Sequence, residues 1–275
     1  MDMRSRIHSY FPSLSKSEQK VANVVLEQEG ELIYHSVTEL SEYAQVGEAT
    51  IMRFCRKIGF KGYQDFKLAL AQEGGQKRDE AAVAVDSDDY VSLLYQNAQK
   101  VIEASLNVMD RDKLQTAVDL LDGAKNIQFF GVGSSAITAQ DAKNRLLRIG
   151  RRSEAVVDSH MQAMLAVTLG PGDVAIGFSV SGSTLDTIGL LDKAKQAGAQ
   201  VIAITNHAKS PITGIADVVL LTAGRESPLE GGSIMAKISQ LFVVDLLCTG
   251  LARKNTESDM LMRGLTARAV IDRMH

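Results

Sequence analysis

The chain has 275 residues, 45% of them hydrophobic and 23% charged, a composition that excludes a disordered tail or a fibre and whose length favours two modest domains over one. Cys55 and Cys248 are the only cysteines, too few for a disulfide framework or a cysteine-built metal cluster, so a reducing setting without metal or cofactor is expected. The net charge of -3 gives no general attraction to nucleic acid, so any such binding has to come from a local patch.

The opening MDMRSRIHSYF lacks the apolar centre of a secretory signal. No uninterrupted apolar run approaches the roughly eighteen residues of a membrane span, so the expectation is a cytoplasmic protein with no membrane partner. Apolar spacing predicts helices over 5–10, 15–27, 37–44, 48–58 and 63–72, with no strand pattern among them. In the second of these, Ser15 and Glu18 are spaced as a capping box, and Val21, Val24 and Val25 form a core-facing stripe. Between residues 21 and 51 there are six acidic residues and no Lys or Arg. Residues 52–67 then hold Arg53, Arg56, Lys57, Lys61 and Lys67 against Asp65 alone.

That change of sign falls inside VTELSEYAQVGEATIMRFCRKIGF, residues 37–60, which reads as a short helix, a tight turn around Gln45 to Gly47, and a second helix from Glu48. On the second helix Ile51, Phe54, Cys55 and Ile58 make a complete i, i+3, i+4, i+7 stripe, while Thr50, Arg53 and Lys57 share another face with Arg56 beside it. Placed in a major groove, this helix would set Glu48, Ala49, Thr50 and Arg53 near base edges, with Arg56, Lys57 and Lys61 on phosphates. A solvated basic face on a small helical bundle is the competing reading.

Residues 72–89, QEGGQKRDEAAVAVDSDD, combine paired glycines, mixed charge and small side chains, as linkers do. The expected division is a helical domain over 1–76, a linker over 77–89 and a second domain over 90–275. The second domain opens with helices over 90–110 and 112–122. Apolar strands follow at 126–132, 153–158, 173–180, 199–205 and 216–222, the first four each leading into a helical pattern. Such alternation predicts an α/β domain with a five-stranded parallel sheet covered on both faces. Gly198 is the expected helix C-cap before the fourth strand. A last long helix over 233–251, with Ile234, Ile238, Leu241, Val244 and Leu247, is expected against the sheet or a second subunit.

Two loops carry the chemistry. GVGSSA (131–136) follows the first strand and SVSGST (179–184) the third, and each opens a helix. At the carboxyl edge of a parallel sheet, free N–H groups at a helix start attract an anion, small residues allow close approach, and hydroxyls add donors, a chemistry that suits phosphate. Ala136 stands where the dinucleotide fingerprint needs its third glycine, and no Walker pattern occurs, which argues against nicotinamide and ATP.

LSKSEQKVANVVL followed by ATIMRFCRKIGFKGYQDFKLALAQ resembles the N-terminal DNA-binding domain of the RpiR family of bacterial transcriptional regulators. Two positions depart from its pattern: Gly47 stands where the family usually has Ser, and Gln45 where glycine is common. SVSGST with GVGSS resembles the SIS, or sugar isomerase, domain, which serves phosphosugar isomerases and, in RpiR regulators, effector sensing. The resemblance covers nearly the whole chain. It implies a helix-turn-helix domain joined to a flavodoxin-like SIS domain, with hydroxyls of Ser179, Ser181, Ser183 and Thr184 on the phosphate and Ser134 and Ser135 reaching the sugar or the phosphate. His160, in DSHMQ, and Glu230, in ESPLEGGS, lie where SIS domains often place polar pocket groups. A surface histidine and a solvated loop acid are equally open readings of these two.

The expected function is a DNA-binding regulator of sugar catabolism genes, a repressor rather than an enzyme. Its partners would be a double-stranded DNA operator and a sugar-phosphate effector, and it would act as a homodimer or homotetramer. The alternative is a phosphosugar isomerase or lyase with an accessory helical domain. For that enzyme the basic helix has no evident use.

Overall fold

The computed structural model of the chain describes residues 2–28, 30–82, 89–224, 228–230 and 232–271, with side chains over the same ranges except 75–82 and 230. Its contacts divide into two units, Met1–Asn97 with Arg225–Ser233, and Ala98–Gly224 with Ile234–His275.

The first unit is helical: α1 Met3–Tyr10, α2 Lys16–Glu27, α3 Val37–Tyr43, α4 Glu48–Lys57 and α5 Tyr63–Ala82. The capping box at the start of α2 forms as expected, with the Ser15 N–H donating to Glu18 Oε2 at 2.7 Å and the Glu18 N–H to Ser15 Oγ at 3.4 Å. A second box, Ser36 with Glu39, starts α3 in the same way and was not foreseen. Ile7, Val21, Val25, Leu32, Leu40, Ile51, Phe54 and Phe66 meet in one core, and the edge-to-face Phe54–Phe66 pair at 5.9 Å gives it directional packing. α5 runs on to Ala82, through the first part of the expected linker. Gln, Lys, Arg, Glu and Ala are good helix formers, and their propensity carries the helix past Gly74 and Gly75. Residues 83–88 of that linker lie outside the described ones.

Lys67, only 6% exposed, donates from Nζ to the His35 carbonyl at 2.8 Å beside the Tyr63 ring. Burial pushes its pKa down to about 8, with Glu39 opposing. The folded unit therefore sheds this proton before the unfolded chain does, and stability rises with pH across that window. Raising the pH from 8 to 9 is expected to stabilise the helical unit by roughly 0.5 to 1 kcal/mol. Above pH 9 the gain is offset, because burial pushes Cys55 up to about 12 and Tyr63 higher still, and folding then retains protons that the unfolded chain releases. Thermal melts at pH 7, 8 and 9 against a Lys67→Met variant test this. An identical pH slope in both chains excludes the lysine as the cause.

The second unit holds a five-stranded sheet, β1 Ile127–Phe130, β2 Ser153–Ala155, β3 Val174–Phe178, β4 Gln200–Thr205 and β5 Val218–Leu221, in the order β2-β1-β3-β4-β5 with every pairing parallel. This is the flavodoxin-like order the resemblance implied. Side chains alternate between its faces. Phe129, Ile176, Phe178, Ile202 and Ile204 meet α7 Arg111–Gly123, α8 Ser134–Arg148 and α11 Ile234–Lys254 on one side. Phe130, Ala175, Val201 and Ala203 meet α9 Ser159–Thr168 and α10 Leu185–Gln196 on the other. At Gly177 a Cβ would lie 2.4 Å from Leu191, so the glycine lets α10 approach the central strand. Gly198 follows the end of α10 with φ +101°, the C-cap conformation expected of it.

α6 Tyr90–Val108 contains the division between the units, and its buried Ser105 receives the Ala223 N–H at 3.0 Å, tying its second half to the end of β5. α11 is long and apolar enough to cross a membrane by length and composition. Here Val243, Val244, Leu247 and Leu251 cover the sheet, the first of the two placements expected for it. β2 is shorter than predicted, since the chain leaves the ladder after Ala155. α12 Thr256–Ile271 was not predicted, because Met260, Leu261 and Leu265 are exposed and trace no one-sided apolar stripe.

Candidate functional site

The turn between α3 and α4 is closed by the Val46 N–H on Ser41 O at 2.9 Å and the Gln45 N–H on Glu42 O at 3.0 Å. Gln45 adopts φ +52° to allow this, the one non-glycine in left-handed conformation among the described residues. Gln45→Gly is expected to raise the stability of the helical unit by about 0.5 to 1 kcal/mol, the strain relieved less the added freedom of the unfolded chain. An unchanged or lowered melting temperature would count against it. Gly47 caps α4 in extended conformation with no side-chain hydrogen bond.

Ile51, Phe54, Cys55 and Ile58 are fully buried, as the spacing predicted. The opposite side of α4 exposes Ala49, Arg53 and Arg56. Two expected DNA contacts are engaged otherwise. Thr50 is buried at 7% exposure and accepts Arg53 Nη2 on Oγ1 at 2.9 Å. Lys57 Nζ lies 3.0 Å from Glu18 Oε2 and ties α4 to α2. Burial pushes the Glu18 carboxyl up, but hydrogen bonds from the Ser15 N–H and the Lys57 ammonium outweigh this and leave its pKa below the ordinary value. Lys61 is exposed just beyond the helix, its N–H on Asp65 Oδ2 at 2.8 Å. Glu48, also exposed, accepts the Thr38 hydroxyl at 2.5 Å.

In the second unit β1 and β3 are neighbours, so the loops 131–133 and 179–184 leave the sheet side by side where the strand order reverses, the place at which open parallel sheets bind ligands. Ser179 Oγ and Thr184 Oγ1 are 3.0 Å apart, and the Ser183 N–H donates to Ser181 Oγ at 3.2 Å. Thr184 is the N-cap of α10 without a capping bond from its own side chain, which leaves the first-turn N–H groups to an external acceptor. Gly182, φ +62°, turns the loop; a Cβ there would lie 2.1 Å from Ser210 Oγ and 3.0 Å from Thr205 Oγ1. The loop is braced from beneath, as the Asn206 N–H donates to Val180 O at 3.1 Å and the Ile212 N–H to Gly182 O at 3.0 Å. The supporting roles of Thr205, Asn206 and Ser210 escaped sequence reasoning, although the polar run TNHAKSP after an apolar strand was their signal.

On the first loop, Ser134 is half-buried at the start of α8. Ser135 is buried and faces α11, where Gln240 Nε2 donates to its Oγ at 3.4 Å and Gln240 Oε1 accepts the Thr138 hydroxyl at 3.0 Å. Ser135 is thus engaged in seating α8 on α11. Buried Gln162 holds the loop from the other side, donating to Gly131 O and Val157 O, both at 3.2 Å. His160 is exposed on the first turn of α9, near a cleft lined by Val132, Ser159, Gln162, Leu185, Asp186 and Lys193. Glu230 ends a turn, Pro228–Glu230, that belongs to the helical unit and lies against α5. Its side chain lies outside the described ones.

Residues 1–77 match the model of the rpiR-family helix-turn-helix domain, and residues 120–250 that of the SIS domain. An HTH-type transcriptional regulator of Haemophilus influenzae is 41% identical over 251 residues, 88% of this chain and 87% of that protein. One from Bacillus subtilis is 30% identical, with 92% and 91% covered. The Vibrio vulnificus NanR protein complexed with ManNAc-6P matches with a TM-score of 0.92 at 31% identity, over 99% of each chain. The sugar isomerase domain of an RpiR transcription factor from Sphaerobacter thermophilus matches 66% of this chain at 25% identity with a TM-score of 0.60. Neisseria gonorrhoeae phosphoheptose isomerase, at 17% identity and a TM-score of 0.51, shares the fold alone. With a basic helix exposed behind a tight turn, hydroxyl loops paired at the sheet's switch point, and relatives matched over most of their length, the chain belongs to the RpiR family of helix-turn-helix transcriptional regulators carrying a SIS domain.

Proposed function

We propose that this regulator is a repressor of sugar catabolism genes in the cytoplasm, released from its operator when a hexosamine phosphate or a related sugar phosphate binds the SIS domain, and that it is not itself an enzyme. The carrying observation is the full-length match to NanR, seen with ManNAc-6P, in a chain whose two hydroxyl loops stand together at the switch point. In this reading Ser179, Ser181, Ser183 and Thr184 hold the phosphate with the first turn of α10, Ser134 and His160 meet the sugar, and Arg53, Arg56, Ala49 and Lys61 contact DNA. The protein acts as a homodimer or homotetramer. Two recognition helices then have to sit about 34 Å apart, and a ligand that shifts one against the other forfeits a half-site.

The test is a thermal-shift panel of sugar phosphates led by ManNAc-6P, each paired with its free sugar. A ligand at a hundred times its Kd adds about 2.7 kcal/mol. A shift with a phosphosugar and none with its free sugar is the expected result; no shift across the panel withdraws the sensor reading and leaves the family assignment in place.

A further inference from the structure

Glu48 is an acid at the wrong place for a phosphate contact. It stands exposed in the first turn of α4, on the helix that carries Arg53 and Arg56, and among the described residues no cation pairs with it. Its one hydrogen bond is from the Thr38 hydroxyl on α3, 2.5 Å from Oε1. Bringing an uncompensated carboxylate to a polyanion is unfavourable unless a hydrogen-bond donor meets it. In the major groove the available donors are the exocyclic amino groups, N4 of cytosine and N6 of adenine. Adenine sets the N7 acceptor beside its donor, an edge that an amide complements and a carboxylate repels; cytosine offers a donor alone. Thr38 already occupies one oxygen, which leaves Oε2 for a single donor. Across the same helix Arg53 Nη2 spends one of its two N–H groups on Thr50, and its second N–H, together with Nε or Nη1, remains for a bidentate acceptor edge such as guanine O6 and N7.

We infer that Glu48 is a specificity-determining residue that reads cytosine N4 in each operator half-site, with Thr38 its positioning residue. This rests on the proposed DNA-contact surface, and the recognition helix thereby selects for one base and against its alternatives through an acid rather than only through arginine. An acid in a first helical turn also favours the helix dipole, but that contribution is blind to the bases in the groove.

The experiment is selection of duplexes from a random pool by the full-length chain at fixed salt, for the wild type, Glu48→Ala, Glu48→Gln and Thr38→Val, followed by affinity for all four bases at any position that changes. Glu48→Ala is expected to lose about tenfold or more of its preference for cytosine at one base pair, with preferences elsewhere kept. Glu48→Gln is expected to move that position toward adenine, and Thr38→Val to weaken the cytosine preference without creating a new one. An Ala variant that selects the same sequence with the same discrimination overturns the assignment. Should the Ala variant fail to fold, the isosteric Gln variant decides it, since an unchanged cytosine preference there is equally fatal. A wild-type chain that binds duplex but selects no sequence overturns instead the sequence-reading surface on which the inference rests.

Discussion

Replacing Arg53 by alanine is expected to weaken operator binding by about 1 to 3 kcal/mol and to relax selectivity at one base pair. Arg53 is exposed in the middle of α4, and Thr50, buried beneath it, accepts one of its donors at 2.9 Å. Part of the entropy a long side chain loses on binding is therefore already given up in the free protein. Arg56→Ala on the same surface serves as the comparison: removing a phosphate-binding cation weakens all duplexes alike and lowers the salt slope by about one. Gel shifts at several salt concentrations separate the two. Equal losses on operator and random duplex for the Arg53 variant would sink the base-reading role.

Gly182→Ala is expected to abolish the sugar-phosphate response while operator binding without effector persists. The added Cβ would fall 2.1 Å from Ser210 Oγ, and alanine at φ +62° is itself strained by about 1 to 2 kcal/mol. The loop then has to shift, carrying Ser181, Ser183 and the N-cap Thr184 out of register with the first turn of α10. Ser181→Ala and Thr184→Ala remove one hydroxyl each without moving the backbone, and a graded loss is expected from them. The measurement is the melting shift produced by the phosphosugar that stabilises the wild type, with gel shifts beside it. A Gly182→Ala chain that keeps the wild-type shift would show that this loop does not hold the phosphate.

Much of the architecture was legible because local signals agreed with the tertiary outcome. The Ile51, Phe54, Cys55, Ile58 stripe, the Ser15–Glu18 box and the apolar strands each state their environment in one segment, and the environment found is the one they state. Legibility failed where a residue's partner is distant in sequence. Thr50 shares the angular range of the basic positions, yet it is buried and its hydroxyl accepts an Arg53 N–H. Lys57 reads in the sequence as an unpaired cation, but folding brings Glu18, thirty-nine positions away, to within 3.0 Å of its Nζ. Ser135 reads as a pocket hydroxyl beside Ser134, but successive helical residues point about 100° apart, and the second of the pair meets Gln240 of α11.

What the sequence by itself determined is therefore most of the elements before α12, their order, the parallel α/β character of the second unit and the two hydroxyl-rich loops that open helices, since these follow from short-range periodicity, capping and backbone freedom. Tertiary structure alone decided that the loops after β1 and β3 stand together, because adjacency in the sheet depends on strand order. It also decided which hydroxyls and cations remain unengaged at the surface, because a polar side chain near a partner folds onto it whenever the hydrogen bond formed offsets the water lost. That selection, among residues that look alike in the sequence, separates Thr205, whose hydroxyl braces the Val180 carbonyl, from Arg56, which stays exposed on α4.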